Sequence, residues 1–424
     1  MIYYYRFHKK ILFSKLKINN LQTIDPKNPN IKENRFIYYL QDRAWQKVSP
    51  LVALIHPEQI LNKKQEINIL HKYEDMERDF SDFPVWIMKK IKNREVGLCN
   101  YNYPRWKERL CWTPPEQWNI NIVGLGNVGG TLLVALRSMS GEKVNRIGIF
   151  DTNERAMSRW EQEANQIIDG SEQRRLPLVK ILKSEEIFQS DLIVFCISMG
   201  VPTPEQEIQD VRLMQLEANS RIINYYAQRA RKTNFNGIFA VVSDPVDLLC
   251  QSAFLASNLS EEGTLDGKGL AADQIKGFGL GVMHGRAAYY AAQEDNMKHY
   301  LSKGRVFGPH GSGLVVADDI EHYDREKSYH LTERVLQANI ELRKIGFKPY
   351  IAPALSSGAF SLLALMEGQW HYSAGFLGGI FWGSRNRQTP VGLEWEQFYL
   401  SRTLFENLYQ SYHNLKKQVN SLEK

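Results

Sequence analysis

The chain has 424 residues, 43% of them hydrophobic and 24% charged, an ordinary globular composition that predicts two or three domains with a sizeable core. Its net charge of +6 is uneven: residues 1–118 hold 21 Lys and Arg against 13 Asp and Glu, net +8, while the remainder holds 32 against 34, net −2. No run approaches the ~20 apolar residues of a membrane helix, and Cys99, Cys111, Cys196 and Cys250 show neither a CxxC pair nor a close, even spacing, which argues against a disulfide scaffold and against a zinc site.

From the N-terminus, His8, Lys9, Lys10, Lys15 and Lys17 interrupt the apolar residues before a signal-peptide core forms. The expectation is a cytoplasmic protein with no metal and no membrane partner. FIYYL (Phe36–Leu40) and LVALI (Leu51–Ile55) read as strands. The aromatics and lysines of this segment invite a nucleic-acid reading, but Glu74, Asp75, Glu77, Asp79 and Asp82 are interleaved with them. A small accessory or oligomerisation domain is preferred, and nucleic acid is not expected. Pro114 and Pro115 in TPPEQW stiffen a linker, which sets a domain boundary at about residue 118.

Beyond it, apolar runs of strand length alternate with segments of helical period: INIVGL, Thr131–Met139, VNRIGIF, Asn153–Ile168, DLIVFCIS, Val211–Lys232 and GIFAVVS. Such alternation predicts parallel strands with crossover helices over residues 119–243. From 244 to 424, long helical segments (Gly281–Tyr300, Asp324–Lys344, Glu396–Val419) mix with the strand-like stretches GRVFGPHGSGLVV and HYSAGFLGGIFWG, which predicts an α+β domain.

Between the first strand and its helix stands Gly124-Leu125-Gly126-Asn127-Val128-Gly129. The first glycine makes a tight turn, the second lets backbone approach a pyrophosphate, and the third lets helix and strand pack closely. The helix N-terminus then offers free N–H groups and a positive dipole end to the phosphates. Asp151, 22 residues after Gly129 at the end of the next strand, suits both hydroxyls of an adenosine ribose and favours NAD over NADP. Asp151 as a cap for the helix near Asn153 is the bland alternative, and Arg155 and Arg159 leave NADP open.

Five further fragments carry a resemblance in order: VFCISMGVP (Val194–Pro202), Arg212 ahead of a helix containing Asn219, VVSDPVD (Val241–Asp247), GFGLGVMHGR (Gly277–Arg286) and GPHGS (Gly308–Ser312). Over about 300 residues the chain resembles the lactate/malate dehydrogenase family. The resemblance implies a Rossmann doubly wound parallel sheet, an α+β catalytic domain, an added N-terminal extension and a homo-oligomer. It also implies hydride transfer between NAD and a small 2-hydroxy or 2-oxo acid. The cofactor would be held by Gly124, Gly126, Asn127, Val128, Gly129, Asp151, Ser198 and Gly200. His310 matches the acid/base histidine, whose pKa near working pH suits proton transfer, and Arg286 offers a planar fork for a substrate carboxylate. Arg212 matches the loop arginine that closes over the substrate, and the residue that sets substrate type falls among Thr203–Gln206.

Two positions depart from the family pattern. Met283 stands where the family has the Asp that orients the histidine, a carboxylate whose loss costs orders of magnitude in rate. Asp244 stands where the family has an Asn. The expectation is that Asp244 pairs with His310 in place of the missing carboxylate; a register slip making His284 the relevant neighbour is the alternative. Two competing functions follow: a catalytically degenerate NAD-binding sensor or scaffold, and a dehydrogenase for a substrate bearing a cation that Asp244 could pair with.

Overall fold

The protein is described from a computed structural model that covers residues 1–61, 65–72, 80, 82–171, 173–199, 208–346 and 353–422. Its N-terminal segment forms strands β1 (Tyr3–Phe7), β2 (Lys10–Ser14), β3 (Gln22–Ile24), β4 (Ile37–Gln41), β5 (Leu51–Ala53) and β6 (Val96–Asn100). β1 and β2 are an antiparallel hairpin turned at His8, whose φ is 51°. β2, β4 and β6 run parallel, and their apolar residues are buried against the short helix Val85–Lys92.

The next six strands are β7 (Trp118–Val123), β8 (Val144–Phe150), β9 (Leu178–Ile181), β10 (Leu192–Phe195), β11 (Ile238–Val241) and β12 (Ile275–Gly277). They lie in the order β9-β8-β7-β10-β11-β12 and all pair parallel. Strands covered on both faces need apolar side chains at consecutive positions, and LIVF and IFAV supply them. Ile193, Phe195, Phe239 and Val241 enter one core with the helices Ile208–Lys232 and Val246–Asn258. Leu192, Val194, Ile238 and Ala240 enter the opposite core with the helices Asn127–Met139 and Ser356–Met366. The sheet order reverses between β7 and β10, the place where open α/β sheets bind ligands beyond the strand ends.

The C-terminal part adds the pair β13 (Arg305–Phe307) and β14 (Val315–Ala317), then the meander β15 (His371–Leu377), β16 (Ile380–Thr389) and β17 (Gly392–Trp395). β15 pairs with β12 and β17 with β5, so one 15-stranded sheet runs from the N-terminal strands to β9. The basic N-terminal segment is fastened to the parallel sheet by buried polar groups. Arg109, 1% exposed, donates to both Asp273 carboxylate oxygens at 3.1 Å, and Arg105 donates to the Gly269 carbonyl at 2.6 Å.

Two helices differ in extent from their sequence expectation. The segment expected over Gly281–Tyr300 is helical over Leu280–Ala292 and then breaks into the short turns Asp295–Met297 and Tyr300–Lys303; Asp and Asn, poor helix formers, stand at the break. The last helix starts at Arg402, because Glu396 is held beside the sheet by Arg305 and Arg385. Among the described residues no helix is long and apolar enough to cross a membrane.

Candidate active site

Val123 ends β7 and the chain turns at Gly124, whose φ of 96° lies in the left-handed region where glycine meets no steric cost. A Cβ on Gly129 would lie 1.8 Å from the Gly124 carbonyl oxygen, so the third glycine is demanded by close packing of turn and helix. A Cβ on Gly126 would meet nothing within 4 Å, which leaves open space over the turn. Asn127 and Val128 open the helix, whose N-terminus has no side-chain cap and so keeps its first N–H groups free.

Asp151 follows β8 directly. Its Oδ2 accepts from the Leu125 N–H at 2.7 Å and its Oδ1 from the Asn153 N–H at 2.9 Å, so the carboxylate sits against the glycine turn. Asn153 itself caps the helix Glu154–Asn165, accepting from Ala156 N–H at 3.1 Å. Trp160 of that helix donates its indole N–H to the Leu125 carbonyl at 3.2 Å. An open cradle of glycines, a free helix N-terminus and a carboxylate 22 residues on fit an adenine dinucleotide.

The ends of β10 and β11 are tied together beyond the sheet. Ser243 donates to the Ile197 carbonyl at 2.6 Å, while buried Asn219 accepts from Met199 N–H at 2.8 Å and donates to the Asp244 carbonyl at 2.7 Å. Ser198 is exposed, and its hydroxyl donates to the Met199 carbonyl at 3.1 Å. Gly200 and Thr203–Gln206 lie outside the described residues. Arg212 lies in the helix Ile208–Lys232, with its side chain outside them as well.

His310 is carried by the loop between β13 and β14, where Gly308, Gly311 and Gly313 all have positive φ. Its Nδ1 lies 2.7 Å from Asp244 Oδ1, and its backbone N–H donates to Asp247 Oδ2 at 2.7 Å. Two carboxylates from the β11 end therefore hold one histidine, one by the ring and one by the main chain. Gly279, just before the helix Leu280–Ala292, lies under the ring: a Cβ there would be 2.6 Å from His310 Cγ. The imidazole is 17% exposed and the Asp244 side chain 52%, so the pair lies at the wall of an open site.

The electrostatics follow from burial and these contacts. Burial alone would lower the His310 pKa, but the Asp244 carboxylate outweighs it and the net shift is upward. Burial pushes the Asp247 carboxyl up to about 6, against the pull of the His310 N–H. With Nδ1–H committed to Asp244, the neutral imidazole keeps Nε2 as its free acceptor. That pattern is what a general base requires.

Arg286 lies on the same helix as Met283. Its Nη2 donates to Asn339 Oδ1 at 2.8 Å and its Nη1 approaches the Met283 sulfur at 3.8 Å. Its Nε is buried with no hydrogen-bond partner among the described residues. Burial lowers its pKa and the nearby Asp244 charge raises it. His284 is turned elsewhere: its Nδ1 is 2.9 Å from the Tyr300 hydroxyl, and burial takes its pKa down to about 4. The His284 alternative for pairing with His310 is thereby removed. Asp247 lay inside a recognised fragment without a role assigned to it. Gly279 and Asn339 carried no signal, because what matters at each is a neighbour far away in sequence.

Residues 118–265 match the family model described as lactate/malate dehydrogenase, NAD binding domain. An L-lactate dehydrogenase of Treponema denticola is 27% identical over 198 residues, 47% of this chain and 56% of the relative. A malate dehydrogenase of Aliarcobacter butzleri is 22% identical over 254 residues, 58% of this chain and 75% of the relative. The matched region thus spans little more than half of the first relative's length. Among solved structures, a lactate dehydrogenase from a Medee basin deep-sea metagenome library superposes with a TM-score of 0.57 over 73% of this chain and all of its own, at 20% identity, which shows a shared fold. Residues 118–265 are thus similar to the NAD-binding domain of the lactate/malate dehydrogenase family, and the chain shares the fold of a lactate dehydrogenase.

Proposed function

We propose that the protein is an NAD-dependent oxidoreductase that interconverts a small 2-hydroxy acid and its 2-oxo acid. The observation that carries this reading is the 2.7 Å contact between His310 Nδ1 and Asp244 Oδ1, which suits an acid/base histidine with its orienting carboxylate supplied from the turn after β11. NAD(H) when bound supplies or takes up the hydride.

The chain's own residues do the rest. In the reducing direction the His310 imidazolium donates its Nε2 proton to the substrate carbonyl oxygen, keeping Nδ1–H on Asp244 throughout. In the oxidising direction neutral Nε2 accepts the hydroxyl proton, and the Asp244 carboxylate stabilises the imidazolium that forms. Arg286, whose direct hydrogen-bond partners among the described residues are neutral, binds the substrate carboxylate, and Arg212 completes the grip. Asp151 takes the adenosine ribose and selects NAD, with Gly124, Gly126, Asn127, Val128, Gly129, Ser198 and Gly200 along the cofactor. A homo-oligomer working in the cytoplasm is part of the same reading.

The competing reading, an NAD-binding sensor or scaffold, is favoured by Met283, which cannot accept a hydrogen bond from the histidine as a carboxylate does. NADH binding by thermal shift, followed by NADH oxidation against a panel of 2-oxo acids including amino-bearing ones, separates the two. Binding with turnover supports the enzyme; binding without turnover leaves the sensor; no binding removes both.

A further inference from the structure

Arg286 is a partly buried cation whose direct hydrogen-bond contacts among the described residues are neutral, with the Asp244 carboxylate near enough to act on its charge. On its own helix the residue three positions back is Met283, and across the helix Arg325–Lys344 the residue that meets its fork is Asn339. Arginine only donates, so the Asn339 atom at 2.8 Å is its amide oxygen and the amide nitrogen points away. A neutral oxygen fixes the orientation of the guanidinium without neutralising it. Nη1, against a thioether, keeps its affinity for an anion, while Nε is buried with no hydrogen-bond partner among the described residues.

The two helices are also pinned in register beside this contact. Leu331, Val335 and Ala338 form the buried stripe of the Arg325–Lys344 helix, and Asn339 continues it by a turn from Val335. Next to it Tyr290 donates its hydroxyl to Glu341 at 3.0 Å, and Arg334 stacks over the Tyr290 ring at 4.5 Å and reaches Glu294 at 3.7 Å. These contacts leave little freedom for Asn339 to leave Arg286. Glu341, two positions on, is engaged by Tyr290 and Arg334.

We propose that Asn339 is a positioning and specificity residue of the substrate site: by holding Nη2 of Arg286 with a neutral oxygen it aims the guanidinium and reserves its charge for a monoanionic carboxylate. The proposal rests on the reading of Arg286 as the carboxylate grip. An acidic side chain at 339 would pair with Arg286 and displace the substrate anion, and a shorter apolar one would leave the fork free to swing.

Equilibrium binding of pyruvate and of oxaloacetate to the protein saturated with NADH, followed by thermal shift, tests this without requiring turnover. Asn339→Ala is expected to weaken oxo-acid binding about tenfold, the share of one hydrogen bond to a charged group. Asn339→Asp is expected to weaken it ~100-fold or more, because the ion pair must be broken to admit the substrate. In both variants NADH affinity and the melting temperature without ligand stay near wild type, and in turnover the change falls on KM with kcat within about threefold. Arg286→Ala is run beside them. If wild type binds no oxo acid, or Arg286→Ala binds as wild type does, the carboxylate-grip reading fails and the proposal with it. If Arg286→Ala loses binding while Asn339→Asp keeps it, the grip stands and the role of Asn339 is overturned.

Discussion

Asp244 Oδ1 and His310 Nδ1 meet at 2.7 Å across 66 residues of sequence, joining the end of β11 to the glycine loop between β13 and β14. The contact gives the histidine a carboxylate partner although Met283 occupies the position where the family resemblance places one. Replacing Asp244 by Asn keeps the size and leaves the cofactor cradle untouched. It removes the charge that stabilises the imidazolium and lets the wrong tautomer form. Turnover is expected to fall by about 10³ to 10⁴ while NADH affinity changes little; steady-state rates and NADH titration of the variant check this. A rise in activity would show that Asp244 does not serve His310.

The upward shift of the His310 pKa sets the sign of the pH dependence. Reduction of the oxo acid needs the imidazolium, so kcat/KM in that direction falls as pH rises through the shifted value, above the ordinary range near 6.5. Oxidation of the hydroxy acid needs the neutral ring and rises over the same interval. In Asp244→Asn both midpoints move to lower pH, because burial then acts without the opposing carboxylate. Initial rates in both directions across the pH range measure this.

Asp247 makes a separate prediction about stability. Its carboxyl is raised by burial from 3.8 to about 6, so the folded state holds the proton more tightly than the unfolded chain. Its contribution is therefore favourable below the unfolded value and is lost as pH rises through about 6, a difference of about 3 kcal/mol on the conversion of 1.36 kcal/mol per unit. Asp247→Asn, whose amide oxygen still accepts the His310 N–H, is expected to flatten the fall in melting temperature between about pH 4 and 6. Thermal melts at several pH values, wild type beside variant, provide the comparison.

Two glycines predict opposite phenotypes. At Gly126 a methyl group meets nothing, so Gly126→Ala folds normally but places a side chain where a pyrophosphate must approach, and NADH binding weakens ~10-fold or more with the melting temperature kept. At Gly279 a methyl group would collide with the His310 ring, so Gly279→Ala keeps NADH binding and loses turnover. NADH titration and rates measured on both variants distinguish them.

The parallel sheet was readable because its signal is local. LIVF, IFAV and the glycine turn announce buried strands and a helix N-terminus within ten residues, and Asp151 falls at the spacing the turn leads one to expect. The hairpin of β1 and β2 was not, since YYYRF and KILFS alternate weakly and lie among lysines. Of the proposed site, the contact of His310 with Asp244 was foreseen from fragments in order. Gly279 under the histidine ring and Asn339 against the guanidinium were not. Each acts through a partner 31 or 53 residues distant, and sequence period says nothing about such pairs.

The central claim is that the Asp244 carboxylate, in the turn after β11, serves His310 where Met283 on the Arg286 helix cannot. The most direct measurement compares kcat for NADH oxidation by a turned-over 2-oxo acid in wild type, in Asp244→Asn and in the double variant Asp244→Asn with Met283→Asp. The account predicts a loss of about 10³ or more in the single variant and recovery of kcat at saturating substrate in the double one, with KM raised because the new carboxylate also lies beside Arg286. Asp244→Asn turning over as fast as wild type would contradict it.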